Sequence, residues 1–148
     1  MRPLLAFVFA AFLPAALVAQ QVPENTAPAL IQPADERDLS EFLWKNRVVL
    51  VFADSDADPR YQDQIDKLAR DAAALVERDV TVLTDADPSA RTPARQKLRP
   101  RGFSLVVIDK DGGVKLRKPA PWSVREITRS IDKFPSRLRE VEERREDS

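Results

Sequence analysis

The sequence predicts an α/β domain, a four-stranded mixed sheet flanked by helices, behind an N-terminal export segment. Three observations carry that expectation. The run Val48-Val49-Leu50-Val51-Phe52 is continuously β-branched or aliphatic with a terminal aromatic, as in a central strand covered on both faces. Tyr61, Ile65, Leu68, Ala72 and Leu75 then recur at helical spacing and lead to a second β-rich run. Finally, Asp111-Gly112 sits between two further apolar segments and supplies the positive φ angles of a tight hairpin turn.

Composition bounds the chemistry. The 148 residues accommodate an export segment and one domain. Lysine plus arginine number 24 and aspartate plus glutamate number 24. That balance provides no overall field to attract nucleic acid or an anionic membrane. Cysteine and histidine are both absent. Disulfides, thiol redox chemistry, Ser-His or Cys-His catalysis and ordinary zinc ligation are therefore not expected of this chain. A hydrophobic content of 43% suffices for a core.

Residues 1–19 read as a secretory signal peptide, with Arg2 before an apolar run and small residues around Ala19. The run is short for a membrane span, which needs about 20 apolar residues. Residues 20–37, with Pro23, Pro28 and Pro33, read as an extended, mobile leader. The domain is expected over 38–135. Asp38 and Glu41 resemble a capping box before the short stripe Leu39, Phe42 and Leu43. Strand one covers 47–53. Asp58-Pro59 opens a long helix to about Arg78, since aspartate is a preferred N-cap and proline fits the first helical position. Residues 79–84 form strand two, completing a right-handed parallel βαβ unit.

A short helix from Thr92-Pro93 to about Leu98 follows, then strand three over 103–108. Strand four, 114–117, alternates Val114 and Leu116 with Lys115 and Arg117, charges that protect a sheet edge. Ser123-Val124-Arg125-Glu126 is a full capping box, and Val124, Ile127, Ile131 and Phe134 stripe a last core helix. Residues 136–148 form a charged tail, read as a solvated helix or as disordered. This order is thioredoxin-like, with the strands arranged 2-1-3-4.

Three segments resemble one known family. They are Arg47-Val48-Val49-Leu50-Val51-Phe52-Ala53, residues 103–115 with their Val-Ile-Asp-Lys-Asp-Gly-Gly-Val-Lys core, and residues 131–140 with Ile131-Asp132-Lys133-Phe134-Pro135-Ser136. The resemblance, over residues 39–142, is to domain-of-unknown-function family 4174, a peroxiredoxin-related, thioredoxin-like domain. Its bacterial members are small exported proteins. In animals the domain is built into secreted matrix proteins, including sushi-repeat-containing ones. The resemblance implies the fold but supplies no established activity or catalytic residues.

Thioredoxin-like enzymes place a reactive thiol just after the first strand, where a helix N-terminus stabilises the thiolate. Here that stretch is Asp54-Ser55-Asp56-Ala57-Asp58-Pro59-Arg60-Tyr61, which has no sulfur and three carboxylates. Gly102-Phe103 stands where such folds usually carry a cis-proline. A calcium loop fails because Pro59 replaces the required glycine and Ile65 the bidentate glutamate, so no metal site is expected. The aspartates read first as helix capping. Asp54, Asp56, Arg60 and Tyr61 are the candidates for contacting a partner. Arg91, Arg95, Lys97, Arg99 and Arg101 read by default as a solvated basic loop, and Arg95, Lys97, Arg99 and Arg101 are candidates for holding an anion. Scarce aromatic interleaving disfavours single-stranded nucleic acid. Ser55, Ser104 and Ser123 lack a histidine base, and Trp44 and Trp122 read as packing at the core or its edge.

The expectation is an exported, periplasmic or secreted, non-catalytic binding domain without a cofactor. Its partner would be another exported protein, with no nucleic acid and no membrane insertion after cleavage. The alternative is an indirect role in oxidative-stress or envelope redox defence.

Overall fold

A computed structural model gives the protein's structure, described here for residues 29–148. The expected signal peptide and the first half of the expected leader lie outside the described residues. Strands β1 (Ile31–Pro33), β2 (Arg47–Phe52), β3 (Val80–Asp85), β4 (Ser104–Ile108) and β5 (Val114–Lys118) form one sheet in the order β1-β3-β2-β4-β5. The last four reproduce the expected 2-1-3-4 arrangement. The sheet nevertheless has five strands, not four. β1 pairs parallel to β3, with Ile31 opposite Val82 and Pro33 opposite Thr84. Proline, which cannot donate to a ladder, is tolerated there because β1 is an edge.

All six residues of β2 are buried, because β3 and β4 flank it and helices cover both faces. Period-two alternation sorts its side chains. Val49 and Val51 join Leu105, Val107, Leu68, Leu75, Ile127 and Ile131 on one face. Val48, Leu50 and Phe52 join Leu39, Ala94, Leu98, Val106 and Ile108 on the other. The first face is covered by α1 (Pro59–Arg70), α2 (Ala72–Val76) and α4 (Val124–Ile131), and the second by a 3-10 turn (Leu39–Phe42) and α3 (Pro93–Leu98).

The expected long helix is two helices. Its register breaks at Asp71 (φ −114°, ψ 33°), yet Leu68 and Leu75 on either side stay fully buried. The buried amide of Gln64 ties α1 to the loop before α4: its Nε2 donates to the Trp122 carbonyl at 2.8 Å, and its Oε1 accepts from the Trp122 N–H at 2.8 Å. Both halves of a buried polar side chain are thereby satisfied. The Ser123 capping box forms as expected, with Glu126 N–H donating to Ser123 Oγ and Ser123 N–H to Glu126 Oε2.

The charged tail is a further helix, α5 (Pro135–Glu146). Ion pairs hold it more than apolar contact does. Arg47, with no exposed surface, donates from Nε to Asp109 Oδ1 at 3.1 Å and from its two terminal nitrogens to Glu140 at 3.0 and 3.2 Å. Ser136 Oγ accepts from Arg47 and donates to both Asp109 oxygens at 2.8 Å. Lys110 joins the cluster through Glu140 and Asp79, each at 2.8 Å.

One expected packing residue lies outside. Trp44 is 74% exposed. Its backbone is left-handed (φ 63°) where its N–H meets the Lys110 carbonyl at 2.8 Å, which turns the indole away from the sheet. Trp122 does pack against the core, with Lys118 Nζ 4.6 Å from its ring centre.

Candidate functional site

The sheet end where β2 finishes gathers most of the expected site residues. β2 runs antiparallel to β4 with Phe52 opposite Ser104, so the loop after β2 and the loop before β4 leave the sheet side by side. The first loop opens α1. Ala57 N–H donates to Ser55 Oγ and Asp58 N–H to the Ser55 carbonyl, a compact turn that places Asp58 at the cap. Asp58 accepts from the Arg60 N–H at 2.9 Å and pairs with its guanidinium at 2.8 Å. The side-chain and backbone hydrogen bonds of Arg60 hold the Asp58 carboxyl below the usual carboxylate range.

Asp54 and Asp56 stand exposed on this turn. Arg60 leans over the Phe103 ring, 5.6 Å from its centre, so the loop before β4 buttresses the acidic turn. Tyr61 points elsewhere. It is half-buried and, with Ile31, Gln62, Ile65, Asp66 and Thr84, lines a groove of about 360 Å³ between α1 and the β1 edge. The geometry therefore groups Asp54, Asp56 and Arg60, with Tyr61 one step along the helix on a separate groove.

The expected anion set divides. Arg95 is already spent on the fold: its Nη2 donates to Asp85 Oδ1 at 2.9 Å and to the Ala53 carbonyl at 3.0 Å, and it lies 5.4 Å over the Phe52 ring. Burial pushes the Asp85 carboxyl up, but the bonds from Arg95 and Thr92 outweigh it and leave it below its ordinary value. Lys97 is exposed on α3 and does not line the basic cleft. Arg99 and Arg101 do line it, together with Phe103, Ser104, Arg117, Lys118 and Pro119, around about 320 Å³. Sequence reasoning missed Arg117, which it assigned to edge protection, and Lys118, which lay beyond its fourth strand. Strand pairing across the hairpin, which sets Arg117 opposite Val106 and Lys118 opposite Leu105, brings them to this end. The legible signal was the length of β5, one residue beyond its predicted end.

No described residue at this sheet end carries a thiol, and Phe103 is preceded by Gly102 with every described peptide bond trans. At the opposite end, Ser136 and Asp109 stand in hydrogen-bond contact like a hydroxyl and its base. Arg47 and the Lys110 N–H also bond that carboxylate, so its lone pairs are shared among structural donors.

The fold is shared with a peroxiredoxin. The structure matches the reduced 2-Cys peroxiredoxin of Plasmodium vivax with a TM-score of 0.54 at 20% identity, covering 65% of this chain and 81% of that one. In sequence it is 27% identical over 136 residues to coiled-coil domain-containing protein 80 of Danio rerio, covering 72% of this chain and 16% of that protein's length. The model of the domain of unknown function DUF4174 matches residues 38–140. That match takes in β2, the acidic turn, the basic cleft and the Arg47 cluster, and the chain, whose fold is like that of a peroxiredoxin, belongs to the DUF4174 family of domains of unknown function.

Proposed function

We propose that the protein is an exported, non-catalytic binding module that meets its partner at the end of the sheet where β2 stops. One observation carries this reading. The position where thiol enzymes of this architecture hold their nucleophile is an acidic turn whose capping carboxylate, Asp58, is bonded to Arg60, leaving Asp54 and Asp56 facing solvent. A helix N-terminus flanked by carboxylates opposes formation of any thiolate there and favours cationic contacts instead. The partner is another exported protein presenting basic groups to Asp54 and Asp56. The export segment supports a periplasmic or secreted location.

Crosslinking in intact cells tests the reading. Wild type should yield a discrete crosslinked species with an exported protein. Asp54→Asn combined with Asp56→Asn, still folded, should lose it. A double variant that captures the same partner in unchanged yield removes the acidic turn from the binding face.

A further inference from the structure

The cleft between the end of α3 and the end of β5 has a lining with one chemical character. Arg99, Arg101, Arg117 and Lys118 contribute four cations, and Ser104 a hydroxyl, to a space of about 320 Å³. No carboxylate lines it, and among the described residues none of the four cations is in an ion pair. Elsewhere Arg47, Arg60, Arg78, Arg95, Lys110 and Arg137 have carboxylate partners, while among the described residues other surface cations such as Arg70, Arg91 and Lys97 have none; the cleft is set apart by four unpaired cations lining one space. Like charges crowded around one small cleft repel one another, and here that repulsion is left for solvent or a ligand to relieve.

Two of the cations are held in place. Arg117 Nη1 donates to the Leu98 carbonyl at 3.0 Å, and Lys118 lies over the Trp122 ring. A third occupies a backbone position that works against its presence. Arg99 ends α3 in the left-handed conformation (φ 48°, ψ 57°), where glycine is the favoured residue. An arginine there costs backbone energy that a glycine would not. Phe103 is 2% exposed, so the cleft offers no open aromatic face for stacking a base.

We propose that this cleft binds a phosphoryl group carrying at least two negative charges. Arginine forks match the acceptor geometry of such an oxoanion, and a tetrahedral dianion presents enough oxygens to meet donors from both sides of the cleft at once. A single carboxylate satisfies fewer donors and neutralises less charge. This inference goes beyond the partner reading and stands without it.

Titration of the isotope-labelled full chain with inorganic pyrophosphate, against chloride at matched ionic strength, tests the proposal by NMR. Saturable shifts should cluster at residues 99–104 and 117–119. Arg99→Gly should bind about tenfold or more weakly, as one lost charge-assisted bond implies, while melting no lower than wild type. Lys97→Ala should bind as wild type does. Vesicles of phosphatidic acid form a second arm, and sedimentation with them would assign the phosphate to a lipid rather than a free ligand. The proposal is overturned by unsaturated shifts spread over all surface cations, by wild-type affinity in Arg99→Gly, or by hexaglutamate binding more tightly than pyrophosphate. Hydrolysis of pyrophosphate by the protein would instead contradict the non-catalytic reading and leave the site standing.

Discussion

Arg47 and Glu140, 93 positions apart, form a two-pronged ion pair that fastens the last helix to the first residue of the central strand. The guanidinium is wholly buried and the carboxylate side chain 19% exposed. Burial alone pushes the Glu140 carboxyl up, but hydrogen bonds and charge from Arg47 and Lys110 outweigh it and bring it down to about 2. α5 is thus held by a charge cluster at the sheet end opposite the candidate binding face.

Acid should loosen that clasp. A carboxyl whose folded pKa is depressed contributes stability above its unfolded pKa and loses it as pH falls through the folded value. For Glu140 the window runs from about 4.5 down to about 2. Asp132, lowered chiefly by its bond with Arg78, acts with the same sign on the same helix. Denaturant unfolding measured across that window should show wild type losing stability more steeply than Glu140→Gln. Parallel curves would remove Glu140 from the acid response.

Arg47→Leu should destabilise the domain by about 3–5 kcal/mol, because it strands the buried Asp109 carboxylate without its main cation. Adding Asp109→Asn should recover part of the loss, since the amide carries no charge to bury. Urea midpoints of the single and double variants decide it. A double variant less stable than the single would show that Asp109 serves the fold mainly through Ser136 and the Lys110 N–H.

The acidic turn separates structural from solvated carboxylates. Asp58→Ala should lower the melting temperature by about 5 °C through loss of the α1 cap. Asp54→Asn with Asp56→Asn should leave it within about 2 °C, as ordinary surface changes do. Scanning calorimetry of the three proteins is sufficient. An equal loss in both variants would make the whole turn structural.

What the sequence showed and hid follows from the range of the forces involved. The β2 run, the α1 cap, the Asp111-Gly112 turn and the Ser123 capping box are local patterns, and each forms where local chemistry puts it. β1 was hidden because three residues ending in proline carry little strand signal, and only pairing with β3 makes them a strand. The break at Asp71 leaves both flanking leucines buried, so the apolar period ran through it unmarked. Trp44 was misplaced because a left-handed backbone, unusual for a bulky residue, overrode its hydrophobicity. Among site residues, Arg95 looked free because its stabilising contacts include a carbonyl 42 positions away as well as Asp85. Arg117 looked like edge protection and Lys118 lay past the expected strand end, until the hairpin carried both to Arg99 and Arg101.

The most direct test of the central claim is turnover. Protein purified free of thioredoxins and peroxiredoxins should neither consume hydrogen peroxide with a thiol reductant nor reduce a disulfide substrate, at any pH at which it stays folded. The prediction rests on a fold shared with a peroxiredoxin but without a single cysteine in the chain. Rates indistinguishable from buffer are the expected result. Turnover that scales with protein concentration and disappears on unfolding would contradict the account.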